Sequence, residues 1–376
     1  MTSEAPAIEQ AAIQLEALSK RYPGSARPAV DALSLAMPAG ELVALVGPSG
    51  CGKTTTLKMI NRLIEPTSGR VLIDGVDART LRTHELRRGI GYVIQQTGLF
   101  PHRTIAANIA TVPSLLGWDK RRIAARVDEL VDLVGLEREL LRRYPSALSG
   151  GQQQRVGVAR ALAADPPILL MDEPYSAVDP IVRTHLQDEL VALQRRVHKT
   201  IVLVTHDIDE AIKLADRIAI MSEGGILEQY APPAELLRNP ANDFVARFLG
   251  RERALRRMAL LKVREVELAP GPFVAADAAP ADAKAVMARF GVDWVGVLDG
   301  DKVLGWVWGD DLDATDRVGA APVHRFAAWV RPDTALREAL DVIVDSRTRV
   351  AIVLDADADR YLGLLTIEQI ADGMAK

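Results

Sequence analysis

Residues 47–54 read Gly47-Pro48-Ser49-Gly50-Cys51-Gly52-Lys53-Thr54, with Thr55 directly behind them. Phosphate groups carry dense negative charge, so a site for them must offer many donors without bulky side chains. Glycines at this spacing let the backbone turn tightly and aim N–H groups at a β-phosphate. A helix opening at Lys53 adds its positive end. Lys53 is then placed to reach the β- and γ-phosphates of a nucleoside triphosphate, and the Thr54 hydroxyl to ligate Mg²⁺. Further along, Leu169-Leu170-Met171 delivers two adjacent carboxylates, Asp172 and Glu173. Asp172 suits Mg²⁺, directly or through water, and Glu173 suits general-base activation of an attacking water. His206 ends another apolar run, at the sheet edge where ligands of open α/β sheets gather, and is a candidate to hold the γ-phosphate. Gln95 offers a neutral carbonyl to Mg²⁺ or the water, although chemistry alone serves Gln96 equally. Tyr22 is a candidate to stack on an adenine ring. Cys51 lies in an electropositive loop at a helix start, where a thiolate is favoured, and is expected to react with thiol reagents unless nucleotide protects it.

These groups need elements to hold them. Short β-rich runs alternate with longer amphipathic stretches, the pattern of an α/β fold with a parallel sheet. Glu41–Val46 reads as a buried strand feeding the glycine loop, and helix character follows from Lys53 to Leu63. Ile168–Met171 and Ile201–Thr205 read as two more buried strands. From about Thr97 to Ala164 strands vanish and helical periodicity takes over, which predicts a helical subdomain inserted into the α/β core. Residues 1–11 read as a loose tail, 12–250 as the first domain and 251–376 as a second. The second repeats itself: Val297-Leu298-Asp299, Leu304-Gly305 and Asp310-Asp311-Leu312 align with Val353-Leu354-Asp355, Leu362-Gly363 and Glu368-Gln369-Ile370. Each copy reads strand, turn, strand, helix start, after an amphipathic helix (Ala281–Phe290 and Thr334–Val344). Leu304, Trp306 and Trp308 alternate along one strand, which predicts a packed face rather than a cation cage.

Bulk properties bound the reading. The chain has 376 residues, 48% hydrophobic and 26% charged, ordinary for a globular protein of two domains. A net charge of −4 argues against a dedicated nucleic-acid binder. The single cysteine excludes an intramolecular disulfide and fits a reducing compartment. The first ten residues lack a basic start and an apolar core, so no secretory signal is expected. No apolar run approaches the ~20 residues of a membrane helix.

Taken together, Tyr22, the loop 47–54, Gln95, Leu148-Ser149-Gly150-Gly151-Gln152, the strand 168–173, Ser176-Ala177-Val178-Asp179 and His206 resemble, in order and spacing, the ATP-binding subunits of ABC transporters over about residues 12–250. The family usually has leucine where Val178 stands, and its distance to Leu99-Phe100-Pro101 selects Gln95 over Gln96. The resemblance implies ATP and Mg²⁺ as cofactors and a head-to-tail dimer of two copies. Ser149 and Gly151 of one copy, with the helix after Gly150 and Gln152, would close on the γ-phosphate held by Lys53 of the other, and Asp179 would lie across the interface. It also implies membrane permease subunits, an extracytoplasmic substrate-binding protein acting through them, and a place on the cytoplasmic face of the inner membrane. The runs Leu57–Leu63, Gly91–His102 and Asn108–Pro113 look like the importer branch for glycine betaine, proline, carnitine and choline. Importers of polyamines, amino acids or sugars would use the same catalytic residues. ABC ATPases of DNA repair or chromosome structure carry long coiled coils between loop and signature, for which this chain has no room. The C-terminal repeats resemble a tandem cystathionine β-synthase (CBS) module, of α+β type. A pure nucleotide-sensing regulator built on that pair is disfavoured by Glu173 and His206. Neither copy keeps a whole Thr/Ser-x-x-Asp for adenosine: Trp308-Gly309-Asp310-Asp311 loses the hydroxyl and Thr366-Ile367-Glu368-Gln369 loses the acid.

Overall fold

A computed structural model describes residues 11–94, 98–176, 178–346, 349–355 and 360–375. Two compact units divide the chain, Met1–Gly250 and Arg251–Lys376. In chain order the first contains β1 (Ala11–Lys20), β2 (Val30–Pro38), β3 (Leu42–Val46), α1 (Lys53–Ile60), β4 (Ser68–Ile73), β5 (Val76–Asp77), α2 (Thr83–Arg88) and β6 (Ile90–Val93). Then come α3 (Ile105–Ile109), α4 (Thr111–Leu115), α5 (Lys120–Leu133) and α6 (Gly150–Leu162), with no strand among them. The unit closes with β7 (Ile168–Asp172), α7 (Pro180–Val197), β8 (Thr200–Thr205), α8 (Ile208–Leu214), β9 (Arg217–Ser222), β10 (Ile226–Ala231), α9 (Pro233–Arg238) and α10 (Asp243–Leu249). This is the α/β core with an inserted helical subdomain that the pattern predicts.

Two boundaries differ from expectation. Ala11 already belongs to β1, paired with Pro38, so the loose tail is at most residues 1–10, which lie outside the described residues. The helix expected to run to Leu63 stops at Ile60, because Arg62 adopts φ 48°, a left-handed conformation no helix continues through. The Arg62 guanidinium explains the break: it turns away to donate to the carbonyls of Ala78 and Leu81 and to Glu65.

The main sheet has six strands in the order β10-β9-β3-β8-β7-β6. β3 lies between β9 and β8, β8 between β3 and β7, and all of these pairings are parallel. Buried on both faces, β3 is apolar throughout, β7 is apolar until Asp172, and β8 is apolar between Thr200 and Thr205. The register sets Val46 beside Thr205 and Asp172 beside Val204. The loops that leave these three strands therefore start at one level of one sheet edge. A four-stranded sheet, β2-β1-β4-β5, covers the core from the other side, and Leu57, Met59 and Ile60 of α1 are buried in the cluster between them.

The second unit contains α11 (Arg253–Leu260), β11 (Phe273–Ala275), α12 (Pro280–Phe290), β12 (Trp294–Asp299), β13 (Lys302–Trp308), β14 (Trp329–Val330), α13 (Leu336–Asp345), β15 (Ala351–Leu354), β16 (Tyr361–Leu365) and α14 (Ile367–Ala375). The repeat is physical. Each copy is a three-stranded sheet, β11-β12-β13 or β14-β15-β16, with one parallel and one antiparallel pairing. The first copy's closing helix shrinks to a single 3₁₀ turn, Asp310–Leu312. The copies exchange their leading segments: Ala269, ahead of the first, pairs with Leu364 of β16, and His324, ahead of the second, pairs with Trp306 of β13. An aromatic cluster joins them, with Phe273 and Tyr361 rings 4.1 Å apart and Trp306 edge-on to Trp308 at 4.6 Å. The packed-face expectation holds for Trp306 and Trp308, which are half-buried against this cluster, but not for Leu304, which is exposed; the fully buried residues of β13 are Gly305 and Val307.

The exchanged segments approach so closely that glycine is required beneath them. Gly305 and Gly363 share φ of 151° and 152°, and a Cβ on Gly305 would stand 2.2 Å from the His324 carbonyl oxygen. Gly305→Ala is expected to destabilise this unit by about 2–3 kcal/mol. Denaturant unfolding of the full chain followed by tryptophan fluorescence measures it, since Trp294, Trp306, Trp308 and Trp329 all lie here.

Candidate functional site

The loop after β3 is built as a cradle. Gly47, Gly50 and Gly52 have φ of 154°, 83° and 96°. A Cβ on Gly47 would meet the Met221 carbonyl oxygen at 2.2 Å, and one on Gly52 the Ala29 oxygen at 2.4 Å, whereas above Gly50 the space is open. Gly52 caps α1 without any side-chain hydrogen bond and the first turn holds no acidic residue, so the helix presents bare N–H groups. Lys53 is buried, and its Nζ donates to the carbonyls of Gly47 at 2.8 Å and Pro48 at 3.0 Å. Thr56 folds back on Gly52, while Ser49 and Gly50 are exposed. Thr55, beside Thr54, is half-buried on the first turn.

Cys51 departs from expectation. Its side chain is 1% exposed, packs into the core and lies 3.6 Å from Lys53 Nζ. The thiol is turned inward because the glycines on either side turn the backbone outward, so reagents in solvent have no path to it.

The carboxylates stand at the end of the neighbouring strand but one. Asp172 Oδ1 accepts from Thr54 Oγ1 at 2.8 Å, joining the loop to β7. Burial pushes the Asp172 carboxyl above its ordinary range; the Thr54 hydrogen bond, Lys58 and Lys53 oppose this and Glu173 adds to it. A buried carboxylate and a hydroxyl sharing one side are oxygen donors suited to a hard divalent cation that completes its shell with phosphate and water. Among the described residues no cluster of three or more His, Cys, Asp or Glu is set to hold a metal.

Glu173 has φ 44°, an unusual conformation for a glutamate. Its N–H donates to Val204 O at 2.9 Å, and its carbonyl accepts from Ser176 Oγ. The side chain thus leaves the strand direction and meets His206, with Nδ1 3.3 Å from Oε2. The His206 side chain is 58% exposed. One sheet edge therefore brings together Lys53, Thr54, Asp172, Glu173 and His206. Tyr22 is exposed in the loop before β2, the same loop whose Ala29 abuts Gly52. Gln95, expected to serve the cation or the water, lies outside the described residues.

Ser149, Gly150, Gly151 and Gln152 form the start of α6 and stand apart. They belong to a separate cleft of about 210 Å³, which Ser149, Gly151 and Gln152 line with Gly135, Glu137 and Arg155 and no residue of the loop 47–54. Sequence reasoning missed a second use of Ser149 and Gln152: they form a capping box, each side chain bonding the other's backbone. Asp179 caps α7 through Ile181 N and is exposed, as is Ile181. In the second unit, Thr366 and Gln369 make the same kind of box at α14, which occupies the Thr366 hydroxyl.

Sequence reasoning also missed Glu210. Asp207-Ile208-Asp209-Glu210 reads as a capping box, which would leave the glutamate at the surface. Instead Glu210 is 5% exposed, Oε2 accepts from Thr205 Oγ1 at 3.2 Å, and Oε1 is buried without a hydrogen-bond partner among the described residues. The available signal was the apolar company of Ile208, Ala211, Ile212 and Leu214 on so short a helix. Burial pushes its carboxyl up to about 7; Asp207 and Glu173 act in the same direction, Thr205 and Arg183 against it.

Comparison with known proteins gives concordant results. The ABC transporter family model matches residues 30–176 and the CBS domain model residues 322–376. The osmoprotectant import ATP-binding protein OsmV of Salmonella typhimurium is 46% identical over 366 residues, 96% of this chain and 95% of that one. The glycine betaine/carnitine/choline transport ATP-binding protein OpuCA of Bacillus subtilis is 46% identical over 365 residues, with the same shares. Among solved structures, the dimeric bacterial ABC transporter cassette MJ0796 superposes with a TM-score of 0.53 at 36% identity, covering 58% of this chain and 98% of that chain. A second structure of that cassette holds ADP and phosphate after hydrolysis.

The raised pKa of Glu210 has a thermodynamic consequence. Between the unfolded value of about 4.3 and the folded value, the native state keeps a proton that the unfolded chain releases, so stability falls as pH rises through that window. Glu210→Gln removes the effect. It is expected to be more stable than the parent at pH 8, by at most on the order of 3 kcal/mol, with the difference closing as pH falls toward 4.5. Urea unfolding at the two ends of this range is the measurement.

Proposed function

The chain belongs to the ATP-binding subunits of ABC transporters, and from that premise we propose that it is the ATPase that powers import of a quaternary-amine osmoprotectant, of the glycine betaine, carnitine, choline or proline type, through a partner membrane permease. The observation that carries the chemistry is the convergence of Lys53, Thr54, Asp172, Glu173 and His206 at one sheet edge. The transported class rests on relatives 46% identical over 96% of the chain whose names state such substrates. No described helix is long and apolar enough to cross a membrane; the proposed place is the cytoplasmic face of the inner membrane, through the permease and its substrate-binding protein.

Each residue has a task its surroundings fit. The glycine loop, with Pro48, Ser49, Cys51 and Thr55 supplying backbone, would receive the phosphates, and Lys53 would exchange its carbonyl partners for phosphate oxygens. Thr54 and Asp172, with Gln95, would hold Mg²⁺, whose chemistry is to neutralise charge on the β- and γ-oxygens. Glu173 would take the proton of the attacking water, and His206 would steady the γ-phosphate beside it. Tyr22 would stack on the adenine. Ser149, Gly151 and Gln152 line a cleft of their own and, with Gly150, would act on nucleotide held by a second copy, with Asp179 at that interface. Two copies joined over ATP and released by hydrolysis would move the permease. The C-terminal repeats would bias the two states, since an effector that binds one better shifts the balance.

Glu173→Gln keeps the shape of the side chain and removes the base. ATP binding is expected to persist, turnover to fall by about 10²–10⁴-fold, and ATP to trap a dimer that gel filtration resolves. Turnover at the parent rate would refute the assignment. Uptake of radiolabelled glycine betaine into vesicles holding the protein with its permease and binding protein tests the transported class; ATP-dependent uptake of a polyamine, amino acid or sugar instead would reassign it.

A further inference from the structure

We propose that Glu210 is a positioning residue for turnover, holding, through the Thr205 hydroxyl, the turn that presents His206 to Glu173. The turn is two residues long, His206 and Asp207. β8 ends at Thr205, α8 begins at Ile208, and His206 stands between Thr205 and the helix cap Asp207. Thr205 Oγ1 donates to Glu210 Oε2 and accepts from Asp207 N at 3.0 Å, so one buried hydroxyl ties the strand end, the cap and the first turn of the helix. Thr205 is 2% exposed. His206 is more than half exposed, so packing does little to aim its ring, and the aim comes from the backbone on either side. A carboxyl buried with one oxygen unpartnered is costly. Capping does not explain that cost, because Asp207 Oδ1 already accepts from the N–H groups of Asp209 and Glu210. The groups that bear on Glu210 are Asp207 in the turn, Arg183 on α7, and Glu173 and Tyr175 after β7. Through Glu173 they lead back to the base that His206 touches. The network thus runs from a buried carboxyl through a hydroxyl to the backbone that carries the histidine.

The test is steady-state ATP hydrolysis and equilibrium ATP binding by the full chain carrying Thr205→Val, Glu210→Ala, both together, or Glu210→Gln. Each of the first two is expected to lower kcat about tenfold while KM and ATP affinity stay within about twofold. The double variant should be no slower than the slower single one, because both remove one connection. Glu210→Gln, whose amide oxygen accepts the same hydrogen bond, should recover turnover to within about threefold of the parent. Parent turnover in Thr205→Val, multiplying losses in the double variant, a parallel loss of ATP affinity, or no recovery with Gln would each overturn the proposal. Should Glu210→Ala not fold, the near-isosteric Thr205→Val and the Gln variant decide alone. The inference rests on reading His206 as an ATPase residue, and His206→Ala separates the two. Parent turnover there sinks that reading, whereas slow turnover there with parent turnover in Thr205→Val sinks only the positioning role.

Discussion

The ammonium of Lys53 is buried with two backbone carbonyls of its own loop as its oxygen partners, and no salt bridge involves it among the described residues. A cation out of water needs counter-charge or many dipoles, and the loop supplies only dipoles. Much of the first unit follows from keeping that arrangement. The loop must coil around Nζ, which forces the positive φ values of Gly47, Gly50 and Gly52 and leaves no room for a Cβ at two of them. The strand ahead must be rigid, which β3 achieves by pairing on both sides in a sheet buried on both faces. The carboxylate that shares the site reaches it from β7 through Thr54.

What was legible in the sequence is what periodicity and tight motifs encode. The apolar runs of β3, β7 and β8 are fully buried, so their composition could serve nothing else, and the residues that end them had to lie at a sheet edge. What was not legible depended on where a side chain turns after the backbone is set. Cys51 sits in a positive loop, yet its flanking glycines twist it into the core, and a charge argument alone could not see that. Arg62 stops α1 early because its guanidinium finds the carbonyls of Ala78 and Leu81, partners distant in sequence. Glu210 follows the pattern of a surface cap, but Asp207 performs the capping by itself and the glutamate is drawn inward to Thr205. Ser149 shows the reverse: a residue singled out for chemistry also closes a capping box, so its loss would disturb the helix start as well as a ligand.

In the second unit the weak repeat was visible as a spacing of strands and a shared Leu-Gly, but not the exchange of leading segments. Gly305 and Gly363 explain each other once that exchange is seen. Each lies where a segment belonging to the other copy crosses over its strand, so the recurring glycine marks a crossing rather than a turn. The exchange also makes the two copies one folding unit, since neither sheet completes its edge pairing alone. Trp306 and Trp308 follow from the same geometry: they are half-buried because they face the seam between copies rather than a copy's own core.

Strand β8 connects the two catalytic candidates. Glu173 is held at φ 44°, a conformation that costs about 1–2 kcal/mol for a residue with a Cβ, and its N–H is bonded to Val204 O. The next residue of β8, Thr205, carries the hydroxyl that governs the turn to His206. Two successive residues of one buried strand thus fix the backbone of Glu173 and of His206 beside it. The His206 side chain is more than half open to solvent and that of Glu173 less so, so packing does little to aim the histidine. Precision at such a site has to come from backbone held on a rigid element. A parallel strand inside the sheet, paired on both sides from Ile201 to Val204 and with β3 through Thr205, is such an element beside the phosphate loop. The same reasoning says why the strained glutamate is tolerated: the surrounding strands determine its backbone more firmly than its own torsional preference does.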